Sequence, residues 1–141
     1  MMADIVYNAF KRHLGSGLVD MDDDAFRIVL LGQGHAPDPG HAVLADVIGH
    51  EVPDGGGYAA GGRELANTTW TQDGGTVRFD ADDPQWTDAT FSARHAVIHA
   101  AKTVAGVTNP LVCLLDFGEV KTVTSGTFTV RFNENGILSL S

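Results

Sequence analysis

The feature that most constrains this chain is the stretch from Gly75 to Ala101, where two apolar runs are separated by an acidic corner. Thr76-Val77-Arg78-Phe79 alternates, placing Val77 and Phe79 on one face and Thr76 and Arg78 on the other. Asp80-Ala81-Asp82-Asp83-Pro84 interrupts it with turn formers and a proline that cannot donate to a ladder. Apolar character resumes at Phe91 and runs to Ala101. Strand, corner and long central strand together predict a mainly β fold, an antiparallel β-sandwich.

Read in order, the rest of the chain fills in about seven or eight short strands and two helices. Ile5, Val6, Ala9, Phe10 and Leu14 recur at helical spacing, with Lys11, Arg12 and His13 in the last turn and Gly15-Ser16-Gly17 as the stop. This predicts a three-turn amphipathic helix over 4–14 that covers one end of the core or docks on a neighbouring subunit. Phe26 to Leu31 reads as a buried strand. Asp38-Pro39 offers an N-cap and a first-turn proline for a short second helix near 39–48. Glu64 to Gln72 reads as a strand carrying Trp70, and Asp73-Gly74-Gly75 as a tight hairpin into Thr76. Trp86 is expected to pack beneath the acidic corner. Further strands are expected over Leu111–Phe117, from Lys121, over Thr127–Phe132 and over Ile137–Leu140. Turns are expected at Val107–Pro110, Gly118-Glu119, Ser125-Gly126 and Asn133–Gly136.

These 141 residues, 43% of them hydrophobic, make one domain. It comprises an N-terminal helix and turn over 1–17 and a sandwich over 26–141. A chain of this size buries roughly two-thirds of its unfolded surface and needs neither disulfide nor metal to fold. The single Cys113, in Leu111-Val112-Cys113-Leu114-Leu115, reads as a buried strand thiol. The net charge of −9 argues against nucleic acid and anionic membrane as partners and suits docking on a basic surface. No secretory signal is expected at Met1–Ile5, and no run approaches the ~18 apolar residues of a membrane span.

Candidate chemistry is sparse. His35, His41 and His50 fall within sixteen residues beside Glu51, but none is at the short helical spacing that aims two imidazoles at one ion, so no metal is expected. His95 and His99, on one strand face, emerge roughly 13 Å apart. Asp20, Asp22, Asp23 and Asp24 lack the glycine and closing glutamate of a calcium loop. Asp80, Asp82, Asp83 and Asp88 read as turn and capping groups. Gly55 to Arg63 lacks the lysine and hydroxyl of a phosphate loop and reads as flexible. No Ser-His-Asp or Cys-His context is present, so neither an enzyme nor a cofactor is expected. Tyr58, Trp70 and Trp86 would serve a sugar-binding platform only if two of them were exposed and coplanar. Tyr7, Lys11, Arg12, Tyr58 and Arg63 are the candidates for contact with a protein partner.

A set of short motifs runs along nearly the whole chain. It includes Asn8 and Leu14 leading to Gly17, then Ile28-Val29-Leu30-Leu31, Leu44-Ala45-Asp46-Val47, and Gly61-Gly62-Arg63 with Leu65. It continues with Phe79-Asp80-Ala81-Asp82-Asp83 and Trp86, Phe91-Ser92-Ala93-Arg94, Val97-Ile98 and Asp116-Phe117-Gly118. Gly126-Thr127-Phe128 and Gly136-Ile137-Leu138 close the set. In these the chain resembles a family of small virion structural proteins of tailed bacteriophages. The resemblance implies assembly in place of catalysis. The protein would be made in the host cytoplasm and reside in the virion, as a capsid decoration (cement) protein on the major capsid protein. Self-association, as a trimer or another homo-oligomer, belongs to the same picture. A tail, neck or fibre-associated protein, or a carbohydrate-binding host-attachment module, is the alternative.

Overall fold

A computed structural model describes all residues, 1–141, and shows a mainly β, sandwich-like fold built from antiparallel sheets. The strands are β1 (Ile5–Val6), β2 (Phe26–Leu31), β3 (Arg63–Glu64), β4 (Thr69–Asp73), β5 (Thr76–Asp80), β6 (Gln85–Ala100), β7 (Thr103–Val104), β8 (Val107–Thr108), β9 (Leu111–Thr129) and β10 (Leu138–Leu140), with one helix, α1 (Asn8–Gly15). One sheet has the order β1-β9-β6-β2-β3, a second the order β10-β5-β4, and β7 and β8 form a small separate hairpin.

Two strands dominate. β6 has 16 residues and extends the long central strand expected from Phe91 back to Gln85, while β9 has 19 and replaces the short strands expected between turns there. Gly118 and Ser125, expected to turn the chain, instead sit within β9 at positive φ (84° and 46°). The β6–β9 register shifts in those intervals, between Ala93 and His95 and between Ala89 and Phe91, and also between Trp86 and Ala89 and between Ile98 and His99. A bulge absorbs a turn-forming residue by leaving it unpaired while the ladder continues on either side. The composition signalled a break, and the partner strand converted it into a kink.

The inner part of this ladder is the centre of the molecule. β2 pairs with β6 from Phe26↔Ala100 to Leu31↔His95, and β9 flanks β6 on its other side. Strands covered on both faces read as unbroken apolar runs, as Phe26-Arg27-Ile28-Val29-Leu30-Leu31 and Leu111–Leu115 do apart from Arg27. His95 to Ala100 and Leu111 to Leu115 are buried without exception. Phe79 of β5 meets Phe26 of β2 with ring centroids 5.0 Å apart, joining the two sheets. Burying a phenylalanine contributes roughly 1.5–3 kcal/mol, so this contact is a principal tie between the layers. Cys113 is fully buried, and burial pushes its thiol pKa up, as suits a strand thiol with no partner.

Several local expectations yield to tertiary pairing. The N-terminal helix is two turns, because Ile5 and Val6 pair with Leu114 and Cys113 of β9. Residues 42–48 do not form the expected helix; two 3-10 turns, Leu44–Asp46 and Ile48–His50, stand there. Asp46 accepts from the amides of Ala42 and Val43, while the Leu44 amide donates to Asn109 and Leu111 donates to Ala42. Backbone groups that a helix would use internally are thus committed to β9's end and to the Asp46 carboxylate. The strand expected over 64–72 is split into β3 and β4, with Asn67 at φ 53° in the gap. β4, the Gly74-Gly75 turn and β5 form the expected hairpin, and the last strand pairs with β5.

Candidate functional site

The five proposed contact residues separate into three groups. Tyr7 is fully buried in the core, and Tyr58 is 2% exposed, so neither can meet a partner. The Tyr58 hydroxyl donates to Glu51 Oε2 at 2.6 Å and accepts from the Leu30 amide at 3.1 Å. Arg63 is exposed, but its guanidinium donates to the Gln85 carbonyl and lies 5.8 Å from the Trp86 ring centroid. Lys11 and Arg12 are exposed on α1. Trp86 is also buried, and Tyr58 and Trp86 face each other inside the domain with centroids 6.3 Å apart, so the surface pair needed for sugar stacking is not formed.

Tyr58 belongs to the glycine-rich segment, which is a fitted strap where a flexible loop was expected. Gly56 accepts from the Thr90 amide, and a Cβ on it would stand 2.3 Å from the Thr90 carbonyl oxygen. A Cβ on Gly62, at φ +71°, would stand 1.8 Å from the Ile28 oxygen. Arg27 clamps the strap by donating to the carbonyls of Gly61 and Gly62, each at 3.1 Å. Glycine is dictated here by backbone-to-backbone approach, which the count of glycines alone could not distinguish from flexibility.

These acidic groups are engaged with nearby backbone amides or side chains. Asp80 accepts from the Ala81 amide, Asp82 from the Asn67 side chain and Asp83 from the Phe132 amide. Asp20 caps Asp22 and Asp23, and Asp24 pairs with Lys102 at 2.6 Å.

Two features remain that have chemical or recognition capacity. The first is β9 beyond Asp116. β1 pairs only with Leu114 and Cys113, so from Phe117 to Thr129 no strand lies along β9's outer edge. Half-buried Phe117, Val123 and Phe128 flank that edge and line an open cleft of about 400 Å³ that also touches Met1 and Lys121. Phe128 packs against Phe91 and Phe117 in tilted and edge-on arrangements, with centroids 5.1 and 5.8 Å away.

The second is a group of four histidines that sequence spacing did not bring together. Gly34, at φ +102°, turns the chain after β2, and the Gly32 amide donates to the His50 carbonyl at 2.8 Å. This fold-back sets His35 among three other imidazoles, with ring centroids 5.8 Å from His41, 5.7 Å from His50 and 5.6 Å from His95. His35 and His95 are buried, His41 is half-buried and His50 is exposed. Burial and the neighbouring imidazoles lower the His35 pKa to about 4, and burial lowers that of His95 against the opposing pull of Asp116. His95 Nε2 lies 3.7 Å from Asp116 Oδ2. Asp116 also accepts from Arg94 at 3.1 Å and from the Gly118 amide at 2.7 Å, which keeps its carboxyl ionised to low pH. His99 lies outside this group, with Nδ1 3.1 Å from the Ala100 carbonyl oxygen. The sequence signal for the cluster was the density of histidines over 35–50; its fourth member, His95, arrives only through the β2–β6 register.

No family model, curated protein or solved structure matches the chain.

Proposed function

We propose that this chain is a non-enzymatic structural protein of tailed-phage virions that decorates the outer surface of the major capsid lattice. The observation that carries the docking part of this reading is the open edge of β9 from Phe117 to Thr129, with its apolar flank. An edge strand presents unpaired amides and carbonyls to whatever lies beside it, and a neighbouring strand satisfies them at once. Gly118 and Ser125 kink this edge, which restricts pairing to a partner of matching curvature. The motif resemblance supports the virion setting, and a net charge of −9 favours a basic lattice and disfavours nucleic acid. Binding to assembled subunits alone stabilises the assembly by mass action. Lys11 and Arg12 on α1 provide a secondary contact surface.

Quantifying the protein in purified particles separated into heads and tails tests the proposal. Hundreds of copies travelling with heads are expected, and Val123→Asp, which sets a charge against the edge's apolar flank, should reduce that number. A few to a few dozen copies travelling with tails would overturn decoration in favour of a tail or attachment role. Absence from particles would overturn the virion reading altogether.

A further inference from the structure

We propose that His35 is an acid-released latch, which holds residues 33–41 closed against His95 of β6 at neutral pH and lets them swing out in acid. Gln33, Gly34 and the residues from Ala36 to Gly40 are all exposed, so His35, 8% exposed, is the one buried side chain between Gln33 and Gly40. The stretch has few other ties to the rest of the chain. At one end the Gly32 amide donates to the His50 carbonyl at 2.8 Å, and near the other the Asn8 amide donates to the Pro39 carbonyl at 3.0 Å. Asp38 accepts from the amides of Gly40 and His41, but these bonds lie within the stretch itself. A segment with so little burial opens at far lower cost than the sheet beneath it.

The trigger lies in what surrounds the ring. His41 and His50, from the same connection, and His95, from β6, are the titratable groups that face His35, and no carboxylate is among them. Each of the other three rings has a way to carry a proton. His50 is exposed, and half-buried His41 lies close enough to Asp46 for the two charges to interact. His95 has Asp116 at 3.7 Å and the more distant charge of Asp4 in its favour, with Arg94 against it. His35 has neither water nor an opposite charge, and its Nε2 is buried without a hydrogen-bond partner. A proton placed there carries an uncompensated burial cost and is repelled by any neighbouring ring that is also charged. The ring escapes both by moving into water, where an imidazole takes a proton at about pH 6.5. Burial and the neighbouring rings hold the closed-state pKa at about 4, so the closed form is favoured above about pH 6.5 and the open form gains as pH falls from there toward about 4. Opening uncovers His95 beside Asp116, next to the point where the free edge of β9 begins.

The test follows amide hydrogen exchange in the full chain by nuclear magnetic resonance from about pH 7.5 to about pH 5, with rates corrected for intrinsic exchange. The Gly32 and Asn8 amides report the latch, and those of Val97 and Ile98 report the sheet. Opening at Gly32 and Asn8 should rise about 5- to 10-fold from about pH 6 to about pH 5 and run well ahead of Val97 and Ile98. His35→Gln, which cannot take the proton, should flatten that dependence, whereas His99→Gln, outside the cluster, should keep it. Should His35→Gln fail to fold, the ring resonances of His35 in the parent decide. Titration of that ring in step with the rise in exchange is expected, and titration with exchange unchanged would overturn the latch. Exchange at Gly32 and Asn8 that runs no faster than at Val97 and Ile98, or that keeps its pH dependence in His35→Gln, would overturn it equally.

Discussion

The β6–β9 ladder is one continuous pairing with two unlike halves. In the inner half, His95–Ala100 and Leu111–Leu115 are buried throughout, with β2 on one side and β1 on the other. In the outer half, Gln85–Arg94 and Lys121–Thr129 form two strands alone, with only Trp86, Ala89 and Ala93 buried. The same backbone hydrogen bonding holds both. The difference teaches that pairing alone leaves a surface available for recognition, and that burial is what turns a ladder into a core. The free β9 edge lies wholly in the outer half, and His95 stands at the junction.

The largest expected effect comes from removing volume from the inner half. Ile98→Ala should cost about 2–5 kcal/mol in denaturant unfolding, since Ile98 is fully buried. Val123→Ala in the outer half should cost under about 1 kcal/mol. Equal costs would erase the distinction between the halves.

The glycine strap contacts both halves, so it offers a second contrast. Gly62→Ala drives a Cβ into the β2 backbone and should destabilise the whole domain by roughly 2–5 kcal/mol. Gly56→Ala meets Thr90 in the outer half. It should release the strap there, seen as faster hydrogen exchange at the Thr90 amide, with a smaller loss of global stability.

Acid should weaken the fold through its buried histidines, of which His95 and His99 lie in the inner half and His35 beside it. Burial lowers the pKa of His35, His95 and His99 in the folded chain. The unfolded state therefore binds more protons below the ordinary imidazole value, and stability falls as pH drops from 6.5 toward about 4. The melting temperature should fall through that window, and a triple Gln substitution of these histidines should flatten the dependence. The outer half contains no histidine and contributes nothing to it.

The smallest effect belongs to the exposed helix cations. Lys11→Glu and Arg12→Glu should each shift stability by no more than about 0.5 kcal/mol. Any effect on particle decoration would therefore report contact in place of folding, by the head-stoichiometry assay.

Where a signal was complete within a few residues, the sequence determined the outcome. β2 occupies Phe26–Leu31 as read, the Gly74-Gly75 turn joins β4 and β5, and the acidic corner at Asp80–Asp83 spends its carboxylates on local and loop hydrogen bonds. A run of β-branched and aromatic residues, or a pair of glycines able to take positive φ, carries its own instruction. The tertiary structure decided what depended on a distant partner. It drew Ile5 and Val6 out of the helix into pairing with β9, and carried β9 straight through Gly118 and Ser125. It buried Tyr7 and Tyr58, and gathered His41, His50 and, from β6, His95 around the ring of His35. In each of these cases the competing local preference is worth about 1 kcal/mol per residue or less, and it gives way to the larger free energy of satisfying buried backbone and apolar surface together.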